Sequence, residues 1–274
     1  MTPTIGVFDS GFGGLTVLRA LMARLPRARF AFFGDTARLP YGSKSRRTIA
    51  RYAAQCAQFL VREQGAEFLV IACNTASALA LDAIQDAVPV PVLGVIEPGA
   101  EAARAASRTG DVLVIATDAT VQSHAYAAAC RARGLRALEK ACPLLVPLVE
   151  EGWTDRPVTA EVIRIYLAEL LSEAAAQGMN PDTLVLGCTH YPLLRPLIER
   201  AVPIGMRVID SAEATAETAL KLFSRQESEK RSPSAKDQDQ IRCFATDSVE
   251  KFERLGSRFL GQPTGKVQLV DLGG

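Results

Sequence analysis

Residues 69–77 read LVIACNTAS, and residues 184–192 read LVLGCTHYP. In each, an apolar run stops at a cysteine and hydrogen-bonding residues follow at once. A short continuous apolar run ended in this way reads as a strand buried on both faces, the kind that lies inside a parallel sheet. Working outward, short apolar runs alternate with longer amphipathic stretches. TIGVFD (4–9) precedes LTVLRALMARL (15–25), RFAFFGD (29–35) precedes RRTIARYAAQCAQFLVREQ (46–64), and FLVIAC (68–73) precedes TASALALDAIQDAV (75–88). VPVPVLGVI (88–96) is short and proline-punctuated. The pattern restarts at DVLVIAT (111–117), with helices at 121–134 and 162–178 and strands at 183–188 and 207–210. A strand at 241–247, a helix at 249–260 and a strand at 267–272 close the chain. Such alternation predicts an α/β fold with parallel sheets. Asp9-Ser10 precede Cys73 by an interval close to that between Thr117-Asp118 and Cys188, so the chain reads as an internal duplication.

Composition sets outer bounds. The chain has 274 residues, 48% hydrophobic and 22% charged, enough for one large or two smaller cored domains. A net charge of +1 offers no field for nucleic acid or an anionic membrane, so neither is expected as a partner. The opening MTPTIGVFDSG lacks a basic region followed by an apolar stretch, and no apolar run is long enough to span a bilayer. Six cysteines are scattered through apolar or helical contexts, which predicts reduced thiols and a cytoplasmic protein. Residues 224–240, SRQESEKRSPSAKDQDQ, are almost free of apolar side chains and are expected to form an exposed loop.

In open α/β sheets, ligands sit outside the carboxyl ends of the strands. Asp9-Ser10, Cys73-Asn74-Thr75, Thr117 through Thr120 and Cys188-Thr189-His190 all fall there. A thiol at a strand-to-helix junction meets free N–H groups and a positive dipole end, which predicts a pKa below the free value of about 8.5. A cysteine ending one strand is more often core filler. Two in matched contexts shift the reading to chemistry. Cys56, Cys130, Cys142 and Cys243, and His124 on its expected helix, read as structural. Cys188 and His190 have no CxxC or HxxxH partner, so no metal site is expected. A Cys/His protease would leave Cys73 without a role, and a redox pair would lack the CxxC form. DSGFGGLT (9–16) with Asp35 suggests a dinucleotide site, but Thr16 stands at the final glycine position and an aspartate where phosphates would approach. The same turn could bind a carboxylate through its N–H groups. Two thiols on opposite faces of one tetrahedral carbon can invert it, one removing a proton while the other supplies one.

The motifs IGVFDSGFGGLTVL (5–18), FFGDTARLPYGSKS (32–45), LVIACNTAS (69–77), GVIEPGA (94–100), IATDATVQSHAY (115–126), CPLLVPLVEEG (142–152) and LVLGCTHYPLL (184–194) resemble, in order, those of the glutamate racemase family. The resemblance implies racemisation of L- and D-glutamate without cofactor, supplying D-glutamate for peptidoglycan, in a homodimer. It implies two similar three-layer α/β domains related by a pseudo-two-fold axis, residues 1–96 plus 211–274 and residues 97–210, with the site between them. Cys73 matches the base acting on D-glutamate and Cys188 the base acting on L-glutamate, with Asp9 and His190 assisting them respectively. Ser10, Tyr41, Gly42, Asn74, Thr75, Thr117, Thr120 and Thr189 match substrate-binding positions. Two alternatives stand beside this reading: a relative acting on another small acid, or a catalytically silent binding or inhibitor protein.

Overall fold

The computed structural model describes residues 3–227 and 240–273. Ten strands are found among them: β1 (Thr4–Asp9), β2 (Arg29–Gly34), β3 (Phe68–Ile71), β4 (Val92–Gly94), β5 (Asp111–Ala116), β6 (Arg136–Ala141), β7 (Thr183–Gly187), β8 (Arg207–Asp210), β9 (Ile241–Ala245) and β10 (Val267–Leu269). They form two sheets, β10-β9-β2-β1-β3-β4 and β6-β5-β7-β8. Every strand pairing is parallel. β2-β1-β3-β4 and β6-β5-β7-β8 have the same order, so the duplication read from the sequence is present as topology.

The central strands are wholly buried, because β1, β3, β5 and β7 carry side chains that favour apolar surroundings on both faces. One core cluster includes Val7 and Val70 of the first sheet, Leu113 and Leu186 of the second, and Ala216 of helix Ser211–Glu227. The remaining face of the first sheet packs around Phe8, Leu69 and Leu60, and that of the second around Val114, Val185 and Tyr126. The chain passes to the second sheet through helix Ile96–Ala106 and leaves it through helix Ser211–Glu227, and these two helices pack together.

Register brings the two signature segments to equivalent places. Phe8 pairs with Ile71, and the Ala72 N–H donates to the Phe8 carbonyl at 2.8 Å, which sets Ser10 beside Cys73 and Asp9 one residue before it. Ala116 pairs with Gly187, which sets Thr117 beside Cys188.

Several details differ from the sequence reading. The helix expected over 75–88 is two, Asn74–Leu79 and Leu81–Ala87, interrupted at Ala80. The one expected over 121–134 is also two, Asp118–Ser123 and Ala125–Arg131. His124 separates them with φ of 54°, so it occupies a left-handed break rather than a helical turn. Edge strand β6 went unpredicted because RALEKA has no buried run. Of the polar stretch 224–240, residues 224–227 continue the helix Ser211–Glu227, and residues 228–239 lie outside the described residues.

Candidate active site

The first half of the site hangs from β1 and β3. Cys73 is the N-cap of helix Asn74–Leu79, and its Sγ accepts from the Ala76 N–H at 3.4 Å. The same thiol donates to Ser10 Oγ at 3.4 Å. Asp9 is 1% exposed; its Oδ2 accepts from the Gly11 N–H at 2.9 Å, and its Oδ1 has no hydrogen-bond partner among the described residues. Burial raises the pKa of Asp9, against the opposing pull of His190 and the Gly11 and Gly14 N–H groups. Burial, reinforced by the Asp9 carboxylate, pushes the Cys73 thiol up to about 12. This overturns the expectation of a depressed value. A helix N-terminus contributes about 0.3–1 kcal/mol, less than the ~1.4 kcal/mol that moves a pKa by one. Desolvation of a buried thiolate beside a carboxylate outweighs it.

The second half differs in chemistry. Cys188 follows β7, but the next elements are a 3-10 turn at Tyr191–Leu194 and helix Arg195–Ala201, so no α-helix begins at this thiol. Its neighbour is His190, whose Nδ1 lies 3.9 Å from Cys188 Sγ and 3.4 Å from Thr189 Oγ1. His190 Nε2 lies 3.3 Å from Glu150 Oε1, and Lys251 Nζ donates to Glu150 Oε2 at 3.3 Å. Burial opposes charge on His190, but the Cys188 sulfur and the Glu150 carboxylate prevail and push it up to about 10. For Glu150, burial acts upward, and His190 and Lys251 hold it below the usual carboxylate range. The His190 ring is framed by Phe259 at 5.1 Å and Phe12 at 6.1 Å between centroids.

The halves meet at named contacts. Thr75 Oγ1, from the first, lies 3.0 Å from Thr117 Oγ1 and 3.3 Å from Thr120 Oγ1, from the second, and the latter two are 2.9 Å apart. Gly42 rests on Thr117, where an added Cβ would come within 3.3 Å of the threonine Cβ. The glycine turn closes the other side. A Cβ on Gly13 would lie 2.4 Å from Thr189 Oγ1 and 2.6 Å from His190 Nδ1, and Thr16 Oγ1 sits 3.3 Å from the Thr189 carbonyl. Those glycines therefore permit close packing between the halves, an outcome the dinucleotide reading did not include.

Cys73, Cys188, Asp9, His190, Ser10, Gly42, Thr75, Thr117, Thr120 and Thr189 thus belong to one linked constellation. Asn74 joins it beside Cys73, with its Oδ1 accepting from Tyr126 Oη at 2.7 Å. The Tyr41 side chain does not: its hydroxyl donates to Asp35 Oδ2 at 2.5 Å, and its ring packs near Phe8 and Tyr52. Glu150 and Lys251 were not singled out in the sequence. The acid lies within the quoted motif at 142–152, but its role depends on contacts spanning tens of residues. Cys56, Cys130, Cys142 and Cys243 are buried free thiols outside the constellation. Among the described residues, no group of three or more His, Cys, Asp or Glu side chains is arranged to hold a metal ion, and no helix is long and apolar enough to cross a membrane.

Residues 15–219 match the family described as Asp/Glu/Hydantoin racemase. A glutamate racemase of Koribacter versatilis is 52% identical over 290 aligned positions, covering 99% of this chain and 98% of that protein. The structure of glutamate racemase from Francisella tularensis in complex with D-glutamate matches with a TM-score of 0.88 and 35% identity, covering 99% of this chain and 98% of that one. Glutamate racemase from Thermus thermophilus in complex with β-chloro-D-alanine matches with a TM-score of 0.83 and 41% identity, again over 99% and 98% of the two chains.

Proposed function

Because the chain belongs to the Asp/Glu/hydantoin racemase family, and within it to the glutamate racemases, we propose that it interconverts L- and D-glutamate by proton transfer between two thiols. The observation that carries the mechanism is the placing of Cys73 and Cys188 at equivalent strand ends of two sheets whose site loops interlock through Thr75 and Thr117. Glutamate held between the halves presents one face of its α-carbon to each sulfur. One thiolate takes the α-proton while the opposite thiol gives its proton to the other face. Cys188 serves as the base for L-glutamate and Cys73 as the base for D-glutamate.

The neighbours supply the asymmetry this requires. A protonated His190 stands 3.9 Å from the Cys188 sulfur, and Glu150 holds the imidazolium. On the other side Cys73 rests as a thiol, ready to donate, and Asp9 is the group positioned to receive its proton when Cys73 must act as a base. Ser10, Asn74, Thr75, Thr117, Thr120, Thr189 and the main chain around Gly42 offer donors to the two carboxylates and the amino group. These groups also stabilise the carbanion-like transition state, which has no cofactor to share its charge. The two domains of this reading are residues 1–96 with 211–274, and 97–210. The product serves peptidoglycan synthesis in the cytoplasm, and the working unit is a homodimer.

The test is incubation with L-glutamate in heavy water, without added cofactor and after dialysis against chelator. Optical rotation is followed together with deuterium at the α-carbon. The reading requires decay of rotation to zero, with deuterium entering the newly formed D-glutamate. Unchanged rotation, or activity restored only by a metal or pyridoxal phosphate, would overturn it.

A further inference from the structure

Asn74 is 3% exposed, and its carboxamide is only half used. Oδ1 accepts from Tyr126 Oη at 2.7 Å, whereas Nδ2 is buried with no hydrogen-bond partner among the described residues. A primary amide offers an acceptor oxygen and two donor hydrogens. A phenol that donates to the oxygen therefore fixes which way the amide faces. The donor end is left free one residue from Cys73, and burying a donor without a partner is unfavourable. A ligand with carboxylate oxygens removes that cost.

Tyr126 is itself held from several sides. It is fully buried, and Ser211 hydrogen-bonds its phenol group. The ring lies between two glycines. An added Cβ on Gly99 would come within 3.1 Å of Cε1 and of Oη, and one on Gly187 within 3.0 Å of Cε2. Gly99 lies on helix Ile96–Ala106 and Ser211 opens helix Ser211–Glu227, so both chain crossings between the sheets touch this side chain. Gly187 directly precedes Cys188. Tyr126, carried by helix Ala125–Arg131 of the second half, thus reaches across to an amide of the first.

We propose that Tyr126 is a positioning residue for the racemisation: it orients the Asn74 carboxamide so that Nδ2 donates to a carboxylate of the bound glutamate beside Cys73. This rests on the reading that Asn74 meets the substrate. Tyr126 meets the substrate's neighbour Asn74 through its hydroxyl, so loss of that hydroxyl falls on binding more than on the chemical step.

The experiment is a double-mutant cycle with steady-state kinetics and melting temperatures for the full chain, Tyr126→Phe, Asn74→Ala and the double variant, plus Asn74→Asp. Tyr126→Phe should raise KM for glutamate about tenfold with kcat within about twofold, since a hydrogen bond that serves binding has been lost. In the Asn74→Ala background the same change should alter KM by less than about twofold. The nearly isosteric Asn74→Asp keeps the acceptor for Tyr126 but turns a carboxylate oxygen toward the substrate, so its KM should exceed that of Asn74→Ala. If Asn74→Ala raises KM but the Tyr126→Phe effect multiplies with it or is absent, the positioning role is overturned. An unchanged KM in both Asn74 variants would instead overturn substrate contact by Asn74, and the proposal with it.

Discussion

The surroundings of Cys73 and Cys188 differ more than their shared place at strand ends suggests. Both sulfurs are buried, at 5% and 6% exposure, and each has a titratable neighbour in the same constellation. Cys73 sits at a helix N-cap with a carboxylate beside it, and the burial of both keeps its proton on. Cys188 has no helix start of its own, but it has an imidazole braced by Glu150, which is bonded in turn to Lys251. The backbone motif alone does not set the surroundings of the two thiols: a carboxylate near Cys73 and an imidazole near Cys188 make them differ, and at Cys73 burial outweighs a helix dipole of about 0.3–1 kcal/mol.

The largest expected effect comes from removing either thiol. Serine at Cys73 or Cys188 should lower racemisation by more than about 10³-fold in both directions, because a hydroxyl is a far weaker acid than a thiol and each turnover uses both groups. Polarimetry from each pure enantiomer measures this. A variant retaining a tenth of the activity would break the symmetry of the pair.

A smaller loss, about 10–10²-fold, is expected for Asp9→Asn and His190→Gln, which leave both sulfurs but remove their proton partners. Free L- and D-glutamate have equal free energy, so kcat/KM must stay equal in the two directions for any variant. The asymmetry can therefore be read only in partial reactions. Elimination from a β-chloro analogue, which needs proton removal alone, should fall more with the L-form in His190→Gln and more with the D-form in Asp9→Asn. Equal losses with both forms would show that the two neighbours are not assigned to separate sulfurs.

Glu150→Gln sharpens the comparison through pH. His190 is raised from its ordinary 6.5 to about 10, so its protonation contributes stability in full below about pH 6.5 and loses it as the pH climbs toward 10. Glu150 is held below its ordinary 4.5, so its contribution is present above that value and is lost as the pH falls through its depressed one. The variant should therefore be less stable by about 1.5–3 kcal/mol, most clearly between those two values. The deficit should shrink toward pH 10, and the alkaline limb of activity should move to lower pH. Denaturant titrations from pH 4 to 10 check it. A deficit that does not vary with pH would mean that the pair is not ionised.

The smallest effect is expected for Cys243→Ser, in β9 and outside the constellation. Burial pushes this thiol up to about 12, so it is uncharged at neutral pH. A buried hydroxyl in its place should cost about 1–3 kcal/mol of stability and leave kcat within about twofold. A large fall in kcat with the fold intact would extend the chemistry beyond the two matched thiols.

Much of this comparison was legible in the sequence. Buried parallel strands announce themselves as continuous apolar runs, so β1, β3, β5 and β7 and the polar residues at their ends could be placed directly. Edge strand β6 could not, because RALEKA is half exposed along its length and carries no such run. The partners of His190 were hidden for a different reason. Glu150 and Lys251 reach it from helix Leu145–Glu150 and helix Val249–Leu260, and no local pattern encodes contacts over such separations. The state of Cys73 was misjudged because junction chemistry can be read locally, whereas the burial that overrides it is a property of the assembled sheets. Tyr41 was matched to the site by its motif, but only the three-dimensional path shows its hydroxyl turned to Asp35.

The most direct test of the central claim, one sulfur for each face, is elimination from both enantiomers of a β-chloro analogue by the two serine variants. Cys188→Ser keeps the base at Cys73 and should eliminate from the D-form while losing the L-form. Cys73→Ser keeps the base at Cys188 and should do the reverse. If both variants favour the same enantiomer, or one variant eliminates from both forms and the other from neither, the two sulfurs do not address opposite faces and the two-faced arrangement is wrong.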